Sequence, residues 1–229
     1  MHLLDNPIWH ALTGPHATVA QRAGRAARYV PEVAAFAALP DEPTPDAWND
    51  LRALVGAAAT AILARRDLAV PETWTVQFAS PCRQMLLPGP VPLEAAPGAD
   101  LALVRLGAPD VPEMLSLVKR TRPGPFATRT VELGSYVGVR DGDALIAMAG
   151  ERLHPQGFTE ISAVCTAPEH QGRGLASRLV RAVAHGIRER GETPFLNLTL
   201  ENDAAHRIYS ALGFETRTFF DVVGVQAPP

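Results

Sequence analysis

The residues whose types and spacing suggest chemistry most directly are Gln171-Gly172-Arg173-Gly174-Leu175-Ala176. An apolar run, Ile161-Ser162-Ala163-Val164-Cys165-Thr166, precedes them and reads as a buried strand. The turn Ala167-Pro168-Glu169-His170 joins the two. Beyond Gly174 the spacing becomes helical, with Leu175, Leu179, Val180, Val183 and Ile187 on one face. A strand feeding a glycine-rich turn and then a helix N-terminus is suited to holding phosphate. The first-turn N–H groups have no intrahelical partner, and the helix dipole is positive at that end. Glycine at 172 and 174 permits a tight turn and a close approach of backbone to ligand.

Two phosphate sites of this general kind do not fit. A dinucleotide fold needs a third glycine where Ser177 stands and an acidic residue at the next strand end. A nucleotide P-loop needs Gly-Lys followed by Ser or Thr, which is absent.

A second cluster lies one helix and one strand downstream. Asn202 to Phe214 matches N-x-x-A-x-x-x-Y-x-x-x-G-F through Asn202, Ala205, Tyr209, Gly213 and Phe214, while Gln171 to Ala176 matches Q/R-x-x-G-x-G/A. With both motifs in this order, the chain from about Leu101 to Val223 resembles the GNAT superfamily of acyl-CoA-dependent N-acyltransferases. Gln171 stands where many members carry Arg.

The resemblance implies a role for each matching residue. The N–H groups of Gln171, Gly172, Arg173, Gly174, Leu175 and Ala176 would cradle the pyrophosphate of acetyl-CoA, a co-substrate used without a metal. The strand before them would splay at a bulge and offer the N–H groups of Val164 and Thr166 to the pantetheine arm and acyl carbonyl. Asn202 would bond the pantetheine. Tyr209 would protonate the leaving thiolate. Glu160, eleven positions before Gln171, stands at the separation where histone-type members carry a general base. Glu151 and Glu201 are its rivals, and deprotonation through water is the other route.

Each of these residues also has a plainer reading. Tyr209 lies between Ile208 and Leu212 on an amphipathic helix and could be core. Asn202 is a helix cap in any case. Cys165 reads as a small buried hydrophobe. His170 and His206 read as surface residues of the turn and the helix.

The elements that must position these residues alternate between strand and helix. Strands are expected at 101–106, 136–140, 144–153, 160–166, 195–200 and 214–223, and helices at 111–119, 174–190 and 203–212, with a short helix or loop at 127–133. This is an α/β (α+β) pattern, a mixed twisted sheet flanked by helices. The prolines and glycines of Leu87 to Gly98 mark the expected boundary, giving 1–95 as a smaller α+β domain and 99–227 as the acetyltransferase domain. Within the first segment, 18–20 and 26–30 predict a hairpin, Pro31 to Leu39 a short helix, Thr44-Pro45 a helix start, and 58–64 and 74–78 two strands. A GNAT half behind a reduced half is similar to the glycine N-acyltransferase-like branch. That likeness implies that the first segment walls the acceptor pocket, with Trp9, Trp48 or Trp74 contributing to selectivity. His10 and His16 are too isolated to be read as ligands.

Composition bounds the partners. The chain has 229 residues, 47% hydrophobic and 20% charged, with a net charge of −3, which gives no general reason to expect nucleic acid or an anionic membrane. The two cysteines form neither a disulfide framework nor a metal pattern. No signal peptide or membrane-length apolar run is read, so the expected location is the cytoplasm, as monomer or homodimer. Asn197-Leu198-Thr199 matches a glycosylation sequon inside an expected buried strand and is read as chance. The expected function is transfer of an acetyl or other acyl group from its CoA thioester to a primary amine of a small molecule or peptide. The alternative is a catalytically weak CoA-binding sensor or interaction protein.

Overall fold

The computed structural model describes residues 2–90 and 102–229. Most of the boundary expected between Leu87 and Gly98 lies outside the described residues, as does Leu101. Local rules set many of the elements. Helix α1 (Pro7–Leu12) and helix α2 (Pro45–Val55) both start with proline, whose missing N–H loses no bond at a first helical position. Thr44 caps α2 by accepting the Ala47 N–H. Strands β1 (Ala20–Ala23) and β2 (Ala26–Tyr29) form the expected hairpin.

Residues 31–39 do not form the expected helix. They make a single turn in which Val33 and Ala34 both donate to the Val30 carbonyl. The chain then extends, Phe36 bridges Ile62, and β3 (Ala37–Ala38) pairs with β2. Pairing on both sides outweighs the local helical preference of this Ala-rich stretch.

The main sheet has eight strands: β4 (Thr60–Arg65), β5 (Thr75–Leu86), β6 (Leu103–Leu106), β7 (Tyr136–Asp141), β8 (Ala144–Glu151), β9 (Phe158–Thr166), β10 (Thr193–Thr199) and β11 (Glu215–Gln226). Their spatial order is β4-β11-β5-β10-β9-β8-β7-β6. The segment before residue 95 therefore supplies two of the eight strands, and β5 runs between β10 and β11. The expected boundary separates stretches of sequence and does not divide the sheet. β5 is also far longer than the expected 74–78. Pro81 is tolerated because it lies one residue beyond the last pair with β10, Thr199↔Cys82.

The helices are α3 (Val111–Thr121), α4 (Leu175–Glu189) and α5 (Asp203–Ala211). Residues 127–133 carry only a short 3-10 turn, Thr130–Leu133. Alternation along the strands assigns the layers. Met85, Leu196, Ala147 and Ala149 pack with α4 through Leu175, Leu179, Val183 and Ile187. Their chain neighbours Leu86 and Phe195 point the other way and pack with Leu4, Ile8 and Leu12. Met148 likewise packs with Met114 and Leu117 of α3. The sheet is thus sandwiched between α4 on one face and α3 with the N-terminal segment on the other. Trp48 of α2 packs against Trp74 at a tilt, ring centroids 5.2 Å apart, and both pack with Leu63 and Val223.

Candidate active site

The parallel pair β9–β10 is connected through α4. It is in register only for Thr193↔Phe158, Pro194↔Thr159 and Phe195↔Glu160, and then the strands part. Two features separate them. On the β8 side, the register of β9 slips between Met148↔Cys165 and Gly150↔Ser162, and Ala163 within the slip has φ 54°. A left-handed alanine costs about 1–2 kcal/mol, so the bulge persists only because the surrounding sheet imposes it. On the other side, β10 continues along β5 and not along β9, pairing Asn197↔Gln84 and Thr199↔Cys82. The result is a V whose open end faces the C-termini of both strands. Val164 and Thr166 lie on its β9 arm.

The glycine-rich turn lies just beyond that arm. Gly172 and Gly174 have φ 76° and 75°, so both positions need glycine for conformational reasons. Gln171 folds back on the turn, its Nε2 reaching the Thr166 carbonyl at 3.4 Å, and Arg173 contacts His170 Nδ1 at 2.9 Å. No side chain caps the N-terminus of α4. Its first-turn N–H groups, including those of Leu175 and Ala176, are available to an anion. Leu175 anchors this end by burying its side chain in the core.

α5 brings the second cluster to the same end of the sheet. Asn202 caps it, Oδ1 accepting the Ala205 N–H at 3.1 Å, which leaves the side-chain amide nitrogen as its donor. Tyr209 is 9% exposed and packs on Phe214. Burial, and then the Cys165 thiol on β9, push its pKa up to about 12. It therefore holds its proton throughout the neutral range, as a proton donor must. Burial likewise pushes the Cys165 thiol up to about 11, which suits packing and not nucleophilic attack.

Glu160 occupies a different environment from the one its expected role requires. It is fully buried, and Arg152 holds both carboxylate oxygens, Nε on Oε2 and Nη2 on Oε1, each at 2.8 Å. Asn197 donates a third bond, Nδ2 to Oε1 at 2.8 Å. A general base must meet the substrate's proton, and this carboxylate is enclosed by donors of its own. Glu151 is also buried, bonded to Arg190 at 2.9 Å and to the Ser135 N–H at 3.2 Å. Glu201 is exposed at the end of β10. The sequence reading did not single out Arg152 and Asn197 as partners of Glu160. The visible signal was a polar residue within the apolar run Phe195-Leu196-Asn197-Leu198, which the sequon explanation set aside.

Similarity to known proteins shows the family. Residues 136–221 match the FR47-like protein family. The N-alpha-acetyltransferase RimI of Mycobacterium tuberculosis is 34% identical over 116 residues, covering 46% of this chain and 72% of that protein. A solved chain from Novosphingobium aromaticivorans, assigned to the GNAT family of acetyltransferases, is 39% identical over the whole of both chains with a TM-score of 0.89. The chain belongs to the GNAT superfamily of acyl-CoA-dependent N-acyltransferases. A GCN5-related N-acetyltransferase from Kribbella flavida, 20% identical with 99% of this chain and 96% of that one covered, shares the fold at a TM-score of 0.68. The N-terminal segment is therefore part of an architecture found across the full length of other GNAT chains. No helix among the described residues is long and apolar enough to cross a membrane.

Proposed function

We propose that this GNAT chain transfers an acetyl group from acetyl-CoA to a primary amine by direct attack within the β9–β10 V. The observation that carries the reading is the combination at one end of the sheet of an opened parallel pair, an uncapped helix N-terminus and a buried, protonated tyrosine. The pyrophosphate lies on the N–H groups from Gln171 to Ala176, and the pantetheine runs down the V past Thr166 and Val164, with Asn202 as a side-chain donor. The lone pair of the neutral amine forms the C–N bond at the acyl carbon. The C–S bond breaks, and the thiolate takes the Tyr209 proton. The amine's surplus proton passes to water, and Tyr209 is reprotonated from solvent.

Glu160 enters this reading as a positioning residue and not as the base, because its oxygens are committed to Arg152 and Asn197. The N-terminal segment forms one wall of the acceptor cleft, since α1 and α3 cover the sheet face that carries Glu160 and Asn197. Similarity to an N-alpha-acetyltransferase makes peptide N-termini the first acceptors to try.

The test is release of free CoA thiol from acetyl-CoA with peptide N-termini, amino acids, polyamines and aminoglycosides as acceptors. Amine-dependent release is expected. If acetyl-CoA raises the melting temperature but no amine accelerates thiol release above background, transfer is refuted and a CoA sensor takes its place.

A further inference from the structure

Asn197 interrupts an otherwise apolar stretch of β10, and Phe195, Leu196 and Leu198 around it are buried. It shares a face with Phe195, two positions earlier. Phe195 in turn pairs with Glu160 in the last register position before the strands part. The Asn197 side chain therefore stands just past the point where the V begins to open, on the face covered by α3 and the N-terminal segment.

Its orientation is fixed by chemistry. The amide nitrogen donates to Glu160 Oε1 at 2.8 Å, and the Glu160 carboxylate, held by Arg152 on both oxygens, can only accept. The amide cannot flip without setting oxygen against oxygen. Oδ1 must point away from Glu160, and there it is buried with no hydrogen-bond partner among the described residues. Gln84, the cross-strand neighbour, directs its Nε2 to the Leu4 carbonyl at 3.0 Å and accepts from Arg217 Nη1 at 2.8 Å. Arg217 is turned there by a bulge in β11 between Thr216 and Thr218, and its other nitrogen is bound to Asp5 at 2.5 Å. Gln84 and Arg217 are thus committed elsewhere. Native structures keep few orphaned buried acceptors, and each calls for an explanation.

We propose that Asn197 Oδ1 is the docking atom for the acceptor amine. It accepts one N–H of the neutral amine and turns the nitrogen lone pair toward the acyl carbon between β9 and β10. No proton crosses to Asn197; the surplus proton still leaves to water. Glu160 and Arg152 act through Asn197, holding its nitrogen so that its oxygen is turned away from the carboxylate. The chemistry recognised is a neutral primary amine, with one N–H on Asn197 and another directed to water. This inference rests on the acetyl-transfer reading above.

The experiment uses the full chain, acetyl-CoA and the best amine from the acceptor panel, with Asn197→Leu and Asn197→Ser. Asn197→Leu keeps the volume and removes the acceptor atom, while Asn197→Ser retains a small acceptor and covers the case in which the leucine variant fails to fold. The expected result is a kcat/KM for the amine lowered about 10- to 100-fold in Asn197→Leu, the loss typical of one hydrogen bond to a buried group. Asn197→Ser should show a smaller loss. In both, the KM for acetyl-CoA and the acetyl-CoA thermal shift should stay within twofold and about 1 °C of wild type. Amine kcat/KM within twofold of wild type in the folded variants overturns the inference and leaves acetyl transfer standing. Parallel loss of acetyl-CoA binding overturns it too, by showing that Asn197 merely shapes the V. A wild-type chain inert toward every amine overturns acetyl transfer itself, and this inference with it.

Discussion

Glu160→Gln separates a positioning role for this residue from the proton-accepting role suggested by its place in the sequence. The substitution preserves shape and removes the charge facing Arg152, whose side chain is 13% exposed and whose guanidinium lies 5.1 Å from the Phe36 ring. Breaking one partner of a buried ion pair costs about 3–5 kcal/mol, because the other charge is left uncompensated. Glutamine retains one acceptor for the guanidinium and one group for Asn197, so the lower end, about 3 kcal/mol, applies. At about 2–4 °C per kcal/mol for a chain of this size, the melting temperature should fall by about 6–12 °C. Scanning calorimetry without ligand measures this. The double variant Arg152→Met, Glu160→Leu should recover much of the loss, because neither charge is then stranded. Turnover of Glu160→Gln, measured well below its melting temperature, should be reduced through a misplaced Asn197 while its pH profile keeps the wild-type shape. A variant with wild-type melting temperature, abolished turnover and a missing acidic limb would refute the reasoning and restore Glu160 as the base.

Gly174→Val forces a β-branched residue into φ 75° and should destabilise the turn by about 1–2 kcal/mol; calorimetry should show that loss, and the stabilisation by acetyl-CoA should disappear. Tyr209→Phe should lower kcat about 100-fold or more in the thiol-release assay, with the acetyl-CoA shift nearly unchanged; loss of the shift with normal turnover per bound complex would contradict its role as acid. The buried His16 accepts or donates a bond with the Tyr29 hydroxyl at 2.8 Å, and burial, then the charge of His154, lower its pKa to about 4. The unfolded chain binds this proton near pH 6.5 and the folded chain resists it, so the stability contributed is complete above 6.5 and lost as pH falls toward about 4. His16→Gln should flatten the decline of melting temperature across that window, and an unchanged slope would assign the decline to other groups.

The portions of this protein set by local chemistry were legible in the sequence. Gly172 and Gly174 announce left-handed turns, Leu175 to Ile187 a one-faced helix, Asn202 a cap, and Thr44-Pro45 a helix start, because each signal acts over a few residues and needs no distant partner. The paired motifs, read together, were enough to indicate the superfamily. The features that escaped all depend on residues far apart in the chain. Residues 31–39 leave the helical path because β2 and Ile62 compete for their backbone. β5 extends to Leu86 because β10 and β11 lie on either side of it, so a segment that reads as a separate domain contributes to the main sheet. Glu160 kept its place in the motif spacing, but its hydrogen-bond partners, Arg152 eight positions away and Asn197 thirty-seven away, are brought to it only by the fold. A carboxylate's role depends on which donors surround it, and strand pairing brings those donors together only in the folded chain.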